Sequence, residues 1–151
     1  MRTLGNILWL VLAGLWLAIG YVIAGVIMCV LIVTIPFGLQ AFKLANFTLW
    51  PFGRTVVEKP GASTALGCLG NVIWLVLAGI EMAILHVVAG VLLCLTIIGI
   101  PLGIACFKLI PLCLLPFGKE IVSIDQVPPG AVPVYHPPPA LGSDTPRPPA
   151  Y

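Results

Sequence analysis

Few side chains in this sequence can do acid–base or charge chemistry, and two of them stand where charge is least welcome. Between Leu69 and Phe107 the only Asp, Glu, Lys, Arg or His residues are Glu81 and His86, and between Leu4 and Val33 there are none. When lipid surrounds such a stretch, an acid inside it points to an ion or proton relay. The spacing is poor for that purpose: five residues apart on a helix, the two side chains diverge by about 140° and share no face. The preferred reading is a Glu81 satisfied by a neighbour near a bundle interior, with the relay as the alternative.

Asn6 and Asn71 stand at the head of the two apolar runs. They are expected to cap a helix at a wet interface, or else to hydrogen-bond to each other. Lys43, Arg54, Lys108 and Lys119 are candidates for contact with anionic lipid headgroups. The five cysteines have neither the spacing nor the histidine company of a zinc site, so they read as reduced packing residues, with Cys29 and Cys94 facing each other. No phosphate cradle, metal-ligand cluster or nucleophile–base pair is present, so no enzyme activity, metal or cofactor is expected. The chain ends Pro148-Pro149-Ala150-Tyr151, a P-P-x-Y pattern. A polyproline II segment of this kind docks on the aromatic groove of a WW-domain protein.

The surroundings follow from composition. Hydrophobic residues make up 60% of the chain and charged ones 8%, against about a quarter charged in soluble domains. The net charge of +2 is too small and scattered for a nucleic-acid partner. Each apolar run exceeds the ~20 residues that cross a bilayer. Insertion gains about 5–10 kcal/mol per run, more than the ~3 kcal/mol that one central Glu costs. The first run is expected to be part of the fold rather than a cleaved signal peptide, because the same pattern recurs in mid-chain.

That recurrence is an internal repeat. Shifted by 65 positions, the sequence lies on itself without a gap, and half of positions 5–58 are identical to their mates. Gly5-Asn6-Ile7-Leu8-Trp9 meets Gly70-Asn71-Val72-Ile73-Trp74, Ile35-Pro36-Phe37-Gly38 meets Ile100-Pro101-Leu102-Gly103, and Phe42-Lys43 meets Phe107-Lys108. Pro51-Phe52-Gly53-Arg54 meets Pro116-Phe117-Gly118-Lys119. Two copies of one structural unit follow. These landmarks resemble the YccF family, the inner membrane component domain, over residues 1 to about 124. The resemblance implies a multi-pass membrane protein with tandem copies, and no defined activity.

The basic residues flank the runs at equivalent places in both copies, so the positive-inside rule puts them on one side. The expected fold is an all-α integral membrane protein of two parallel tandem repeats related by an axis along the membrane normal. Both termini are expected in the cytoplasm and the body in the cell membrane. Two arrangements fit. In the preferred one, tight hairpins at Gly20-Tyr21 and Leu85-His86 give four membrane segments, each pair followed by an interfacial or re-entrant helix. In the other, each run is one helix of about 45 Å. There, breaks at Pro36/Gly38 and Pro101/Gly103 start a shorter returning helix that buries its lysine. The cost of buried lysines favours the first.

The domain reading is repeat 1 over 1–58, a linker over 59–69, repeat 2 over 70–124 and a disordered tail over 125–151. Nine of the last 28 residues are proline, a composition that cannot bury a core. Small residues four apart, such as Gly14 and Ala18, suit close helix packing and a homo-oligomer. The expected function is an oligomeric membrane protein with an ion channel or transport role. The alternative is a non-conducting scaffold that presents its P-P-x-Y motif to WW-domain proteins.

Overall fold

The computed structural model describes residues 2–59, 65–129, 131 and 133–135. The first apolar run is one long helix, Arg2–Trp9, that passes through a π turn at Leu10–Gly14 into Leu15–Val30. The chain turns and comes back as a return helix, Ile35–Leu49, then enters strand β1, Arg54–Glu58. The second repeat retraces this. Its long helix is Ala65–Trp74, a π turn at Leu75–Gly79 and Ile80–Cys94, its return helix is Ile100–Leu114, and strand β2 is Lys119–Ser123. Two helices, Arg2–Val30 and Gly67–Cys94, are long and apolar enough to cross a membrane.

The expected hairpins at Gly20-Tyr21 and Leu85-His86 are not there. Both pairs lie inside helix, and the chain reverses at residues 31–34 and 95–99. The reason is hydrogen bonding. In lipid every backbone donor and acceptor must be satisfied internally, so a turn needs polar help that residues 20–21 lack. The observed turns have it. Thr34 Oγ1 donates to the Met28 carbonyl at 2.6 Å, and Thr96 Oγ1 donates to Leu93 O while accepting from the Gly99 N–H, both at 3.0 Å. Pro36 and Pro101 then sit in the first turn of each return helix, where a missing N–H costs nothing.

Gly38 and Gly103 serve close approach rather than a kink. A Cβ on Gly38 would lie 2.5 Å from Cys29 Sγ and 2.8 Å from the Gly25 carbonyl, and Gly103 meets Cys94 and Gly90 in the same way. Each thiol thus packs against a glycine of its own repeat.

The fold is not all helical. Strands β1 and β2 pair antiparallel from Arg54↔Ser123 to Glu58↔Lys119, and β3, Pro133–Tyr135, adds to the other side of β1. The tail read as disordered from 125 therefore gives Pro133–Tyr135 to the sheet, after a 3-10 turn at Ile124–Gln126. Gly53 and Gly118 make the exit into each strand with φ of 98° and 84°, a conformation that only glycine adopts freely.

The two repeats are related by an approximate two-fold rotation. Val56 pairs with Ile121, its own repeat mate, and Tyr21 packs on His86, again its mate, with ring centroids 5.9 Å apart. A line through both contacts is the pseudo-axis. Phe37, at the start of the first return helix, meets the ring of Phe117, at the sheet end of the second repeat, at 5.3 Å. The hairpins therefore cross beneath the sheet. Their shared interior holds Trp9, Trp74, Tyr21, Phe47, Leu102 and Leu109, all fully buried. The outward faces are Ile, Val and Leu, which suits a hydrocarbon solvent.

Candidate functional site

At the sheet end of each hairpin, an asparagine and a tryptophan close the gap between the two helices. Asn6 Nδ2 donates to the Phe52 carbonyl at 2.8 Å, and Asn6 Oδ1 accepts from the Phe52 N–H at 3.0 Å. The amide thus pairs with one whole peptide unit, as a neighbouring strand would. Asn71 repeats this on Phe117, at 3.3 and 2.9 Å. One turn on, Trp9 Nε1 donates to Thr48 O at 2.6 Å and Trp74 Nε1 to Cys113 O at 2.7 Å. Those carbonyls belong to the last turn of each return helix, which has no intrahelical donors left. Pro51 and Pro116 follow and cannot extend it. The expectation of a cap, or of an Asn6–Asn71 bond, is corrected: each asparagine binds its own repeat's Pro-Phe-Gly turn.

Asn6, Trp9, Ala13, Gly14, Leu17 and Ala18 are buried on one continuous face that runs through the first π turn. Gly14 must be glycine because a Cβ would lie 2.5 Å from the Trp9 indole. The sequence gives no warning of a π turn, since α and π turns share a composition.

Where the hairpins cross, Tyr21 Oη donates to Cys113 Sγ at 2.8 Å. His86 donates from Nδ1 to the Met82 carbonyl at 2.9 Å, and its ring lies 3.5 Å from the same sulfur. This is a satisfied, sealed cluster with His86 fully buried. Glu81 is the opposite. It is exposed on the outer face, between Ile80 and Ile84, at the middle of the Gly67–Cys94 helix. The expectation that Glu81 turns towards a bundle interior is corrected, while the divergence of Glu81 from His86 is what the 100° helical step requires. Its mate, Trp16, is 68% exposed.

The basic residues gather at the sheet. Arg2 lies beside Gly53 and 3.5 Å from Asp125. Lys43 Nζ reaches up to donate to the Lys119 carbonyl, so the lysine of the return helix is not stranded in the apolar layer. Arg54 Nη1 donates to Asn46 Oδ1 at 2.6 Å. Burial lowers the Lys119 ammonium from the ordinary lysine value, and Glu58, opposite it in the ribbon, pulls it back. Lys108 is exposed on the second return helix, away from the others. Among the described residues no group of His, Cys, Asp and Glu is placed to hold a metal ion. Pro148, Pro149 and Tyr151 lie outside the described residues.

Two crossing helical hairpins, apolar outside and closed at one end by a small charged sheet, define a membrane protein built from a tandem repeat. The chain belongs to the YccF family: the family's inner membrane component domain matches residues 4–54 and again 69–119. Both matches end at the basic residue after Pro-Phe-Gly. The chain is 33% identical over 133 residues to the inner membrane protein YccF of Escherichia coli strain K12, covering 83% of this chain and 90% of that protein. The YccF protein of Shigella flexneri matches to the same extent. No solved structure matches the chain.

Proposed function

We propose that this chain is a non-enzymatic, multi-pass membrane protein that assembles into an oligomer and passes ions between its copies. The observation that carries the reading is Glu81. A carboxyl group on a lipid-facing surface at mid-helix is expensive and calls for a polar partner. A neighbouring copy that covers this face supplies one and turns the carboxyl towards a shared path. The interior of a single copy is filled by Trp9, Trp74, Tyr21 and Phe47, which favours a route between copies over one through the centre. In this reading the pseudo-axis stands along the membrane normal, with the sheet and the basic residues Arg2, Arg54 and Lys119 on the cytoplasmic side of the cell membrane. Liposomes containing the purified chain test it: cation flux that falls at least tenfold in Glu81→Leu is expected, and no flux under any ion gradient overturns conduction.

A second reading rests on β3. Pairing of Pro133–Tyr135 with β1 anchors the chain at the sheet shortly before its proline-rich end. In this scaffold reading Pro148, Pro149 and Tyr151 are presented on the sheet's side to a WW-domain protein. Loss of WW-domain pull-down on deleting residues 147–151 is the expected result, and unchanged pull-down excludes it.

A further inference from the structure

Beside the sheet, at the level where the apolar helices give way to charged strands, lies an open cavity of about 720 Å³. Gln40, Lys43 and Asn46 line it from the first return helix, three residues apart and so along one face. Arg54 and Lys59 close it from the two ends of β1, and Glu120 enters from β2. Three cations thus face one carboxylate. Two are already positioned, Lys43 by its bond to the Lys119 carbonyl and Arg54 by Asn46 Oδ1. A guanidinium carries five donors in a planar fork and suits a phosphate. At the inner wall Gln40 Oε1 is buried without a hydrogen-bond partner, an acceptor that still requires a donor.

The second repeat lacks three of these polar side chains. The mates of Gln40, Asn46 and Lys59 are Ala105, Pro111 and Ile124. In a pair of copies that otherwise agree at half their positions, this polar trio is confined to one side, whereas Lys43 and Arg54 keep the basic mates Lys108 and Lys119. A contribution to folding shared by both repeats would not need it.

We infer that this cavity binds the headgroup of an anionic glycerophospholipid that carries free hydroxyls, its phosphate held by Lys43, Arg54 and Lys59 and one hydroxyl donating to Gln40 Oε1. In the membrane placement proposed above, on which the inference rests, the cavity stands at the phosphate plane of a leaflet, and Leu39, next to Gln40 and 61% exposed, offers apolar surface for the acyl chains. The inference does not depend on ion conduction.

The test is lipid retention by the purified full chain in detergent, read by native mass spectrometry. Phosphatidylglycerol should be retained in preference to phosphatidylcholine. Loss of one charged contact, worth about 1.5–3 kcal/mol, corresponds to roughly ten- to hundredfold weaker binding, so Lys59→Gln and Arg54→Gln should each show it. Gln40→Leu should narrow the preference for phosphatidylglycerol over its methyl-capped analogue. Lys108→Gln, the exposed lysine outside the cavity, should retain lipid like the parent chain. Lys59 is exposed, so its variant tests binding without disturbing a core. Equal retention of both lipids, or equal losses in Lys59→Gln and Lys108→Gln, overturns the site. Displacement of the lipid by glycerol 3-phosphate at matching concentration overturns its assignment to a lipid and makes the site one for a soluble phosphate ester.

Discussion

Val56 pairs with Ile121 across the antiparallel ribbon, and Ile121 is the residue that occupies the place of Val56 in the second repeat. A residue can face its own mate only on a two-fold axis. The register of five residue pairs in one short ribbon thus fixes how two 65-residue repeats are disposed, and Tyr21 against His86 marks the same axis in the helical layer. Rotation about it keeps Arg54 and Lys119 at one level.

The asparagine closures should carry a measurable share of stability. Asn6→Ala leaves both the N–H and the carbonyl of Phe52 without their partner in a buried place, a loss of about 2–4 kcal/mol. Asn71 is only half-buried and its donated bond is longer, so Asn71→Ala should cost about 1 kcal/mol. Unfolding in mixed micelles, followed by tryptophan emission, checks the order. Equal losses would contradict it.

Trp9→Phe keeps an aromatic ring in the core but removes the donor to Thr48 O. The return helix then ends on an unpaired carbonyl, and amide exchange at Trp50, Phe52 and Arg54 should speed up before any global unfolding. Exchange unchanged at those amides would show that the indole bond holds nothing in place.

Gly38→Ala and Gly103→Ala drive a methyl group into a cysteine sulfur and a helix carbonyl. Each should destabilise its hairpin by about 1–3 kcal/mol. Shrinking the facing side chain gives relief, so Gly38→Ala with Cys29→Ala should recover part of the loss, whereas Gly38→Ala with Cys94→Ala should not. Equal rescue by both would break the assignment of each thiol to its own repeat.

How much of this was legible in the sequence depends on distance along the chain. The membrane class and the repeat could be read because run length and a fixed 65-residue shift are properties of the string itself. The turns are hidden because Leu31-Ile32-Val33 is as apolar as the helix before it. The signal was Thr34 and Thr96, whose hydroxyls serve the turn backbone. Asn6 and Asn71 stood out by recurrence, but their partners lie 46 residues away, and a helix-start asparagine looks like a cap. The sheet is not legible in the string because Arg54–Glu58 is short and pairs with a strand in the other repeat. For the same reason nothing in the string brings Lys59 and Glu120 to one cavity.

Glu81→Leu removes the polar group that a covering copy would satisfy. The proposed oligomer should weaken, shifting towards single copies in dilute detergent by light scattering, although a Leu is the better lipid-facing residue for one copy alone. An unchanged oligomer would mean that Glu81 meets lipid and not a second copy.

The central claim is that the two repeats stand alike in the bilayer, their sheet on one side. Single cysteines at Arg54→Cys and Lys119→Cys, in a chain otherwise cleared of cysteine, can be probed in oriented membrane vesicles with an impermeant maleimide. Labelling of both positions from the same side is the predicted result, and labelling from opposite sides would contradict the account.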